Sequence, residues 1–263
     1  MLCVVGRDVA GVTQLHGVVY IVCDRYSTIS RFDARTHQRL TGIVVKDLRV
    51  PRDIVACERT SQIYVADEEA CIWRVSSDGE DIKRWFPKSP SNTFEPWTLS
   101  VTSTRLLVTS CDTHQLIQFD EVGDELRRVQ LPDDMEPRHA VESPTETFIV
   151  SHSHYNDELE QYHVSEVDTG GEVLRQFSSS HLPSFNLTPR VAVDSHGNIL
   201  VADEYNRRIL LLDTHLKLLR IVVDQHQLNY KEPQHLCYIE QSGQLLVGFY
   251  EGGVVKVFDV LCR

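Results

Sequence analysis

A segment made of two apolar runs around a short polar stretch recurs along this chain at a nearly constant spacing. The clearest copy spans residues 198–213, NILVADEYNRRILLLD. Apolar and β-branched runs on either side of turn-forming residues predict two strands joined by a tight turn. The copies end at Asp33, Ser76, Asp120, Asp168, Asp213 and Asp259, so successive copies lie 43 to 48 residues apart. A spacing this even over the whole length leaves little room for any other organisation.

A period in the forties with several short strands is typical of a β-propeller blade, whereas helical repeats of that length show apolar residues at 3.6-residue intervals. Each copy is preceded by a further predicted strand, and a proline stands at its start in five copies: Pro51, Pro96, Pro137, Pro189 and Pro233. An apolar strand such as residues 82–86 follows every copy except the last. We therefore predict an all-β fold, a six-bladed β-propeller of four-stranded antiparallel blades with strands a to d counted outward from the axis.

The two ends of the chain predict how the ring closes. The sixth copy stops after its third strand, and residues 2–5 form an isolated apolar strand of the outer type. We expect residues 2–5 to be the fourth strand of blade six, because this pairing leaves the ring without a free edge. Residues 1–263 then form a single propeller domain.

The composition indicates in which cellular compartment this domain is expected. No apolar run approaches the length of a membrane span, and residues 1–8 turn polar too soon for a secretory signal. The seven cysteines are scattered without a C-x-x-C pair, which is typical of small buried side chains in a reducing compartment. We predict a monomeric cytoplasmic domain that contacts no membrane and carries no cofactor.

One blade also resembles a known family. Residues 191–213, VAVDSHGNILVADEYNRRILLLD, are similar to the NHL repeat nearly residue for residue, residues 63–75 match it fairly, and the other copies have diverged. Together with the period, this resembles the propellers at the C-termini of animal tripartite-motif proteins. The resemblance implies a partner- or substrate-recognition role within a ubiquitin-ligase-like protein. NHL-type propellers also include RNA readers and a few enzymes, so the repeat is specific for fold and weak for function.

Candidate binding residues come from the loops on one face. The d-to-a and b-to-c connections share a face, which we call the top face, and the a-to-b and c-to-d turns share the opposite, bottom face. The predicted b-to-c loops include residues 152–156, 203–207 and 249–252. Aromatic residues beside arginines favour recognition surfaces, although any one aromatic there could instead pack between blades. The candidates are Tyr26, Arg52, Trp97, Arg138, His154, Tyr155, Arg190, Tyr205, Arg207 and Tyr250.

Three functions are compatible with this surface. The first is a non-catalytic platform for a protein or peptide. The second is RNA binding through the top-face arginines, which the net charge of −12 and the acids in the same loops disfavour.

The third is a channel-centred enzyme of the lactonase or amidating-lyase type. Asp53, His139 and His235 each lie two residues after a proline in alternate blades, which would set them about 120° apart around the axis as possible zinc ligands. Histidines that bond to the backbone are the simpler interpretation. We expect no metal and no catalytic activity.

Overall fold

A computed structural model describes residues 2–4, 8–86, 94–102, 105–156, 159–179, 181–249 and 252–260, with the backbone alone at positions 3, 155, 156 and 159. The described strands form six four-stranded antiparallel sheets, which confirms the six-bladed all-β propeller. The first strand, β1 (Leu2–Cys3), belongs to the last blade.

The first three blades follow the chain without interruption. Blade one contains β2 (Val9–Leu15), β3 (Val18–Cys23), β4 (Thr28–Asp33) and β5 (Arg39–Val44). Blade two contains β6 (Pro51–Cys57), β7 (Gln62–Asp67), β8 (Cys71–Ser76) and β9 (Ile82–Phe86). Blade three contains β10 (Thr98–Val101), β11 (Leu106–Ser110), β12 (Gln115–Phe119) and β13 (Glu125–Gln130).

The last blade is completed from the start of the chain. Blade four contains β14 (Met135–Glu142), β15 (Phe148–Asn156), β16 (Leu159–Val167) and β17 (Val173–Gln176). Blade five contains β18 (Arg190–Val193), β19 (Ile199–Asp203), β20 (Arg208–Leu212) and β21 (Leu218–Val223). Blade six contains β22 (Pro233–Ile239), β23 (Gln244–Phe249) and β24 (Val254–Asp259), and β1 pairs with β24. The predicted closure is thus confirmed for residues 2–4, while Val5 lies outside the described residues.

The core is divided among the six seams between consecutive blades. The first strands of the blades contact one another in cyclic order, and β22 returns to β2. Successive side chains of a strand point to opposite faces, so Leu200 packs between blades five and six while Val201 packs between blades four and five. Both faces of each blade are therefore buried, which explains why the middle strands are continuous apolar runs instead of alternating with polar residues.

One predicted loop is wrong. Residues 152–156 were expected to form the b-to-c loop of blade four, but β15 and β16 stay paired from Phe148 opposite Val167 out to Asn156 opposite Leu159. The hairpin is longer than its counterparts because the backbone ladder continues past the apolar part of the strand. His154 consequently lies in a strand.

The cysteines behave as buried side chains. Among the described residues, Cys57, Cys71 and Cys111 are buried free thiols, Cys237 is a partly buried one, and Cys23 is also buried. Burial raises the pKa of Cys71 to about 11 and that of Cys111 to about 12, so both are protonated at neutral pH. No helix with the length and apolar character of a membrane span occurs in the described part of the chain.

Candidate binding site at the top of the channel

Two adjoining cavities, of about 300 and 230 Å³, lie at the upper end of the central channel. They share Trp97, Arg190, Gln234 and His235 as lining residues. We call this region the top mouth and define it by Arg52, Glu68, Trp97, Arg138, Arg190, Glu204, Gln234 and His235. Four of the ten candidate binding residues lie here, contributed by four different blades.

The Arg52 and Trp97 side chains are stacked. The guanidinium carbon of Arg52 lies 4.3 Å from the centre of a Trp97 ring, and Arg52 Nη2 lies 2.5 Å from Glu68 Oε1. A cation over an indole face is favourable, and the Glu68 carboxylate also holds the guanidinium through a charge-assisted hydrogen bond. The pair therefore presents a fixed aromatic–arginine surface at the mouth, in which the Nε of Arg52 is buried without a hydrogen-bond partner among the described residues.

The other arginines of the top face are also paired with acids. Arg138 Nη2 lies 2.9 Å from Glu136 Oε1, and Arg207 Nη2 lies 2.9 Å from Glu232 Oε1. On the opposite wall of the mouth, Gln234 Nε2 donates to Glu204 Oε1 at 2.6 Å. Burial raises the pKa of Glu204, which the Gln234 hydrogen bond partly offsets. The mouth is thus lined by charges of both signs.

Below the mouth, six residues hold equivalent positions at the start of the innermost strands. Asp53 pairs with Ala66 of β7, and Arg190 pairs with the corresponding Ala202 of β19. The same register identifies the full set, which we call the ring: Gly11, Asp53, Thr98, His139, Arg190 and His235. Asp53, His139, Arg190 and His235 line a small cavity in the channel, of about 90 Å³.

The position of Arg190 departs from the sequence-based expectation. A β-bulge adds one residue just before the ring position in blades one, two, four and six, for example between Pro51 and Asp53. No such bulge interrupts the pairing of β18 with β19, so Arg190 reaches the ring position one residue after its proline. Arg190 therefore lies deeper than Arg52 and Arg138, with which the sequence grouped it.

The ring residues connect several blades to their neighbours. Asp53 Oδ2 accepts the Leu99 N–H of blade three at 3.0 Å. His139 Nδ1 accepts the Val191 N–H of blade five at 3.4 Å. A Cβ added to Gly11 would lie 2.9 Å from the Ile54 nitrogen, so only glycine permits the close contact between blades one and two. One further bond crosses the channel, from Arg190 Nη1 to Asp53 Oδ2 at 3.4 Å.

The electrostatics of the ring follow from its burial. Burial, and then the charge of Arg190, lower the pKa values of His139 and His235 well below 6.5, so both imidazoles are neutral. Burial raises the pKa of Asp53, and the neighbouring Arg190 opposes this. The channel does bring Asp53, His139 and His235 together as their spacing predicted. Arg190 lies among them, and the described residues contain no group of three such side chains that could hold a metal ion.

A larger chamber of about 510 Å³ occupies the lower channel. Its walls are the innermost strands, with Glu58, Glu240 and Gln241 near the a-to-b turns of the bottom face, and His139 also borders the small cavity above. No sequence motif marks this chamber, because its lining residues come from the first strands of several blades and from the turns that follow them.

The remaining candidates lie away from the mouth. Tyr26 is half-buried against the apolar cluster between blades six and one. It therefore follows the alternative expectation that an aromatic in these loops packs between blades. Tyr205 is 55% exposed, and Arg207 has a left-handed backbone (φ 51°) in the turn of blade five. Neither lines the two cavities of the mouth. Tyr250 and the Tyr155 side chain lie outside the described residues.

Several residues expected on the top face are buried. Phe249, placed in a loop by the sequence, ends strand β23 and is 1% exposed because it packs between blades five and six. Asp203 is also buried, accepting from Arg208 Nε at 2.6 Å and from Asn206 Nδ2 at 2.9 Å. The Asp, Asn and Arg of the best repeat thus stabilise their own turn and do not form a surface.

The comparisons with known proteins agree with the fold. No protein-family model matches the chain, and no curated protein matches it in sequence. Among solved structures, hydrazine synthase from Kuenenia stuttgartiensis is similar, with a TM-score of 0.71 and 13% identity over 100% of this chain and 98% of that one. A catalytically inactive variant of virginiamycin B lyase from Staphylococcus aureus, solved with quinupristin, has a TM-score of 0.67 and 12% identity over 97% of each chain. At such identities the likeness shows the six-bladed propeller and nothing finer.

Proposed function

We propose that this protein is a non-catalytic binding module that recognises a protein or peptide partner at its top mouth. The observation that carries the proposal is the Arg52–Trp97 stack, held by Glu68 beside an open cavity. Tryptophan and arginine are the residue types most enriched among the residues that dominate binding energy, and a side chain already fixed in place loses little entropy on binding.

The ring supports a binding role over catalysis. Both Asp53 oxygens accept backbone N–H groups, from Ile54 and Leu99, and Oδ2 also faces Arg190. His139 Nδ1 accepts a backbone N–H as well. Groups committed to bonds that join blades are poorly placed to transfer protons to a substrate.

The pairing of the arginines favours a protein partner over RNA. Arg52, Arg138, Arg190 and Arg207 each lie within 3.4 Å of a carboxylate oxygen. Phosphate groups would have to displace these acids, in a chain whose net charge is −12. A protein partner can use the arginine planes and the tryptophan without breaking the pairs.

A finer assignment rests on the repeat pattern, which is clearest in blade five, fair in residues 63–75 of blade two and extended by the regular period. Its resemblance to the NHL repeat leads us to propose that the module is the substrate-recognition part of a tripartite-motif-like ubiquitin ligase in the cytoplasm. The protonated thiols of Cys71 and Cys111 are compatible with a reducing compartment.

The test is partner capture by matched variants. Trp97→Ala removes the aromatic face, and Arg52→Ala removes its cation. The control is Arg59→Ala in the a-to-b turn of blade two, on the bottom face, where Arg59 likewise pairs with an acid, Glu121, at 2.7 Å. Proteins captured from lysate by the wild type are identified by mass spectrometry, and the affinity for the purified partner is then measured for each variant.

We expect Trp97→Ala to weaken binding by about 2 kcal/mol, roughly 30-fold, and Arg59→Ala to leave it unchanged. Nuclease treatment should not alter capture, and binding should tolerate moderate salt. Loss of binding in Arg59→Ala with normal binding in Trp97→Ala would mean that the bottom face is used. Complete loss after nuclease would assign the surface to RNA.

A further inference from the structure

A groove of about 570 Å³ lies between blades two and three, toward the bottom face. Strands β7, β8 and β9 of blade two form one wall, and residues 121–122 in the c-to-d turn of blade three form the other. None of its described lining residues belongs to the mouth, to the small cavity among the ring residues or to the lower chamber. The groove is therefore a surface that the proposed function does not use.

One row of side chains crosses the wall of blade two from strand to strand. Tyr64 of β7 pairs with Arg74 of β8, and Arg74 pairs with Lys83 of β9. Residues directly opposite each other in a sheet place their side chains on the same face, and all three line the groove. Trp85 of β9 packs edge-to-face against Tyr64, with ring centres 5.2 Å apart. The groove thus combines two buried aromatic rings with basic side chains.

Positive charge exceeds negative charge in this lining. Arg74 and Lys83 share one carboxylate, that of Asp81, at 3.8 and 3.1 Å. Arg84 also lines the groove, and no described carboxylate lies within 4.0 Å of it. The acidic lining residue, Glu121, is already paired with an arginine of the a-to-b turn of blade two. On the top face, by contrast, each arginine described above has a carboxylate of its own.

Several polar atoms of the lining residues have no partner. Trp85 is 7% exposed, and its Nε1 is buried without a hydrogen-bond partner among the described residues. The same holds for Arg74 Nε, a second donor, and for Gln62 Oε1, an acceptor. Buried polar atoms are normally hydrogen-bonded, so three unpaired ones along a single groove call for an explanation. A ligand that satisfies them offers acceptors and at least one donor.

Exposed side chains form the rim above these atoms. The side chain of Lys83 is 47% exposed and that of Glu121 is 43% exposed. Exposed side chains change rotamer within nanoseconds, and such changes are common when an interface forms. A ligand that moves the rim aside therefore reaches the buried donors. Val122 on the same rim is largely exposed and offers an apolar contact.

We propose that this groove binds an acidic peptide segment of a partner protein. A glutamate or aspartate of the peptide accepts hydrogen bonds from Arg74 Nε and Trp85 Nε1 and pairs with Arg84, while a backbone N–H of the peptide donates to Gln62 Oε1. Arginine clusters recognise acidic motifs in this way, since hydrogen bonds to a charged group are roughly twice as strong as neutral ones. The joint demand for acceptors and a donor favours a peptide over a bare anion.

Binding of short labelled peptides to the full chain tests the proposal. The probe is a fluorescein-labelled peptide with glutamate at alternate positions among glycine and serine, measured by anisotropy, and its counterpart carries glutamine instead. We expect one glutamate peptide per chain, bound at least about 10-fold more tightly than the glutamine peptide. Arg74→Gln and Arg84→Gln should each weaken binding about 10-fold. Trp85→Phe keeps an aromatic ring but removes the indole N–H, and should weaken binding about 5-fold.

Two variants serve as controls. Arg31 of blade one is opposite Tyr20 as Arg74 is opposite Tyr64, and its Nε also lacks a partner among the described residues, but it does not line the groove. Arg31→Gln should bind the peptide normally. Trp97→Ala should do so too, which distinguishes failure of this site from failure of the mouth. Circular dichroism establishes that each variant is folded.

Four results would overturn the proposal. Equal binding of the two peptides would show that the carboxylates are not recognised. Wild-type affinity in both Arg74→Gln and Arg84→Gln would place the peptide elsewhere. Displacement of the peptide by equimolar inorganic phosphate would mean that the groove binds a bare anion, and tighter binding of an oligouridine RNA would assign it to nucleic acid.

Discussion

Blades five and six have the same four-stranded plan but hold their outer strands in different ways. The outer strand of blade five, β21, pairs along most of β20, yet only Val223 among its residues is fully buried. Among the described residues, the outer strand of blade six, β1, pairs Leu2 with Val255 and Cys3 with Val254, and the Val4 N–H donates to the Gly253 carbonyl oxygen at 2.6 Å. Leu2 and the adjoining Val4 are nevertheless 1% and 3% exposed.

The comparison shows that burial holds the closing strand in a way that it does not hold β21. Leu2 and Val4 pack into the cluster between blades six and one, together with Val9, Ile21 and Leu246. An ordinary outer strand directly follows the third strand of its blade in the sequence, so backbone hydrogen bonds to that strand are enough to hold it in place. The closing strand is far in sequence from the rest of its blade, and apolar side chains anchor it on both neighbouring blades.

Removing the closing strand should have the largest effect. A variant lacking residues 1–4 exposes the edge of β24 and opens the cluster between blades six and one. We expect it to be insoluble or to lose cooperative unfolding in urea. An unchanged unfolding midpoint would mean that β1 is not what closes the ring.

The buried ion pair of blade five gives a second contrast. Asp203 ends β19 opposite Arg208 of β20, whereas in blade six the apolar Phe249 ends β23 and the apolar Val254 begins β24. Asp203→Ala leaves Arg208 buried without its partner and should cost about 3–5 kcal/mol of unfolding free energy. Replacing both residues by leucine should recover most of this loss, since blade six is apolar at the same positions. A double variant no more stable than Asp203→Ala would show that the pair is needed for the turn itself.

A matched pair of leucines compares the two outer strands directly. Leu2→Ala in β1 should cost about 2–5 kcal/mol, because the side chain is fully buried. Leu219→Ala in β21 should change stability by less than about 0.5 kcal/mol, since Leu219 is 54% exposed. Equal effects in denaturant titrations would contradict the distinction between the two strands.

The smallest expected effect on stability concerns the ring beneath the mouth. The pKa of His235 in blade six is lowered well below 6.5 by burial and by Arg190 of blade five. The unfolded chain therefore binds more protons as the pH falls below about 6.5, so stability is full above that pH and decreases below it. His139 contributes in the same sense, and Asp53, whose pKa is raised, in the opposite one.

The measurement is unfolding free energy against pH for the wild type and His235→Gln. The contributions of His139 and Asp53 are common to both proteins, so the difference isolates His235. Between pH 7 and 5.5 the wild type should lose about 1 kcal/mol more than the variant. Parallel curves would mean that His235 is as easily protonated in the folded state as in the unfolded one.

The sequence predicted the fold because its signal repeats. Six copies with equal spacing and a missing last strand specify the blades and their closure, and the structure confirms both. Site residues carry no such repetition. One inserted residue decides whether Asp53 or Arg52 faces the channel, and the absence of that residue in blade five moves Arg190 inward. A bulge of this kind depends on local pairing and leaves no clear pattern in a single sequence.

Side-chain burial was the second property of the candidate site that could not be predicted from the sequence. Phe249 and Tyr26 look like surface aromatics in a loop-rich segment, yet both pack between blades. The groove between blades two and three was not singled out, because only the pairing of β7, β8 and β9 sets Tyr64, Arg74 and Lys83 in one row. Contacts between residues in different strands follow from register, and register is fixed by the whole blade.

The bond from Arg190 to Asp53 joins blade five to blade two, which are opposite each other in the ring. Bonds between neighbouring blades keep those blades in contact but do not prevent small rotations between them. Such bonds alone do not stop the ring from deforming into an oval. A cross-brace along one diameter opposes that deformation. Trp97 and Gln234 of the mouth belong to blades three and six, another opposite pair. The brace therefore lies directly below the mouth and opposes changes in the width of the opening.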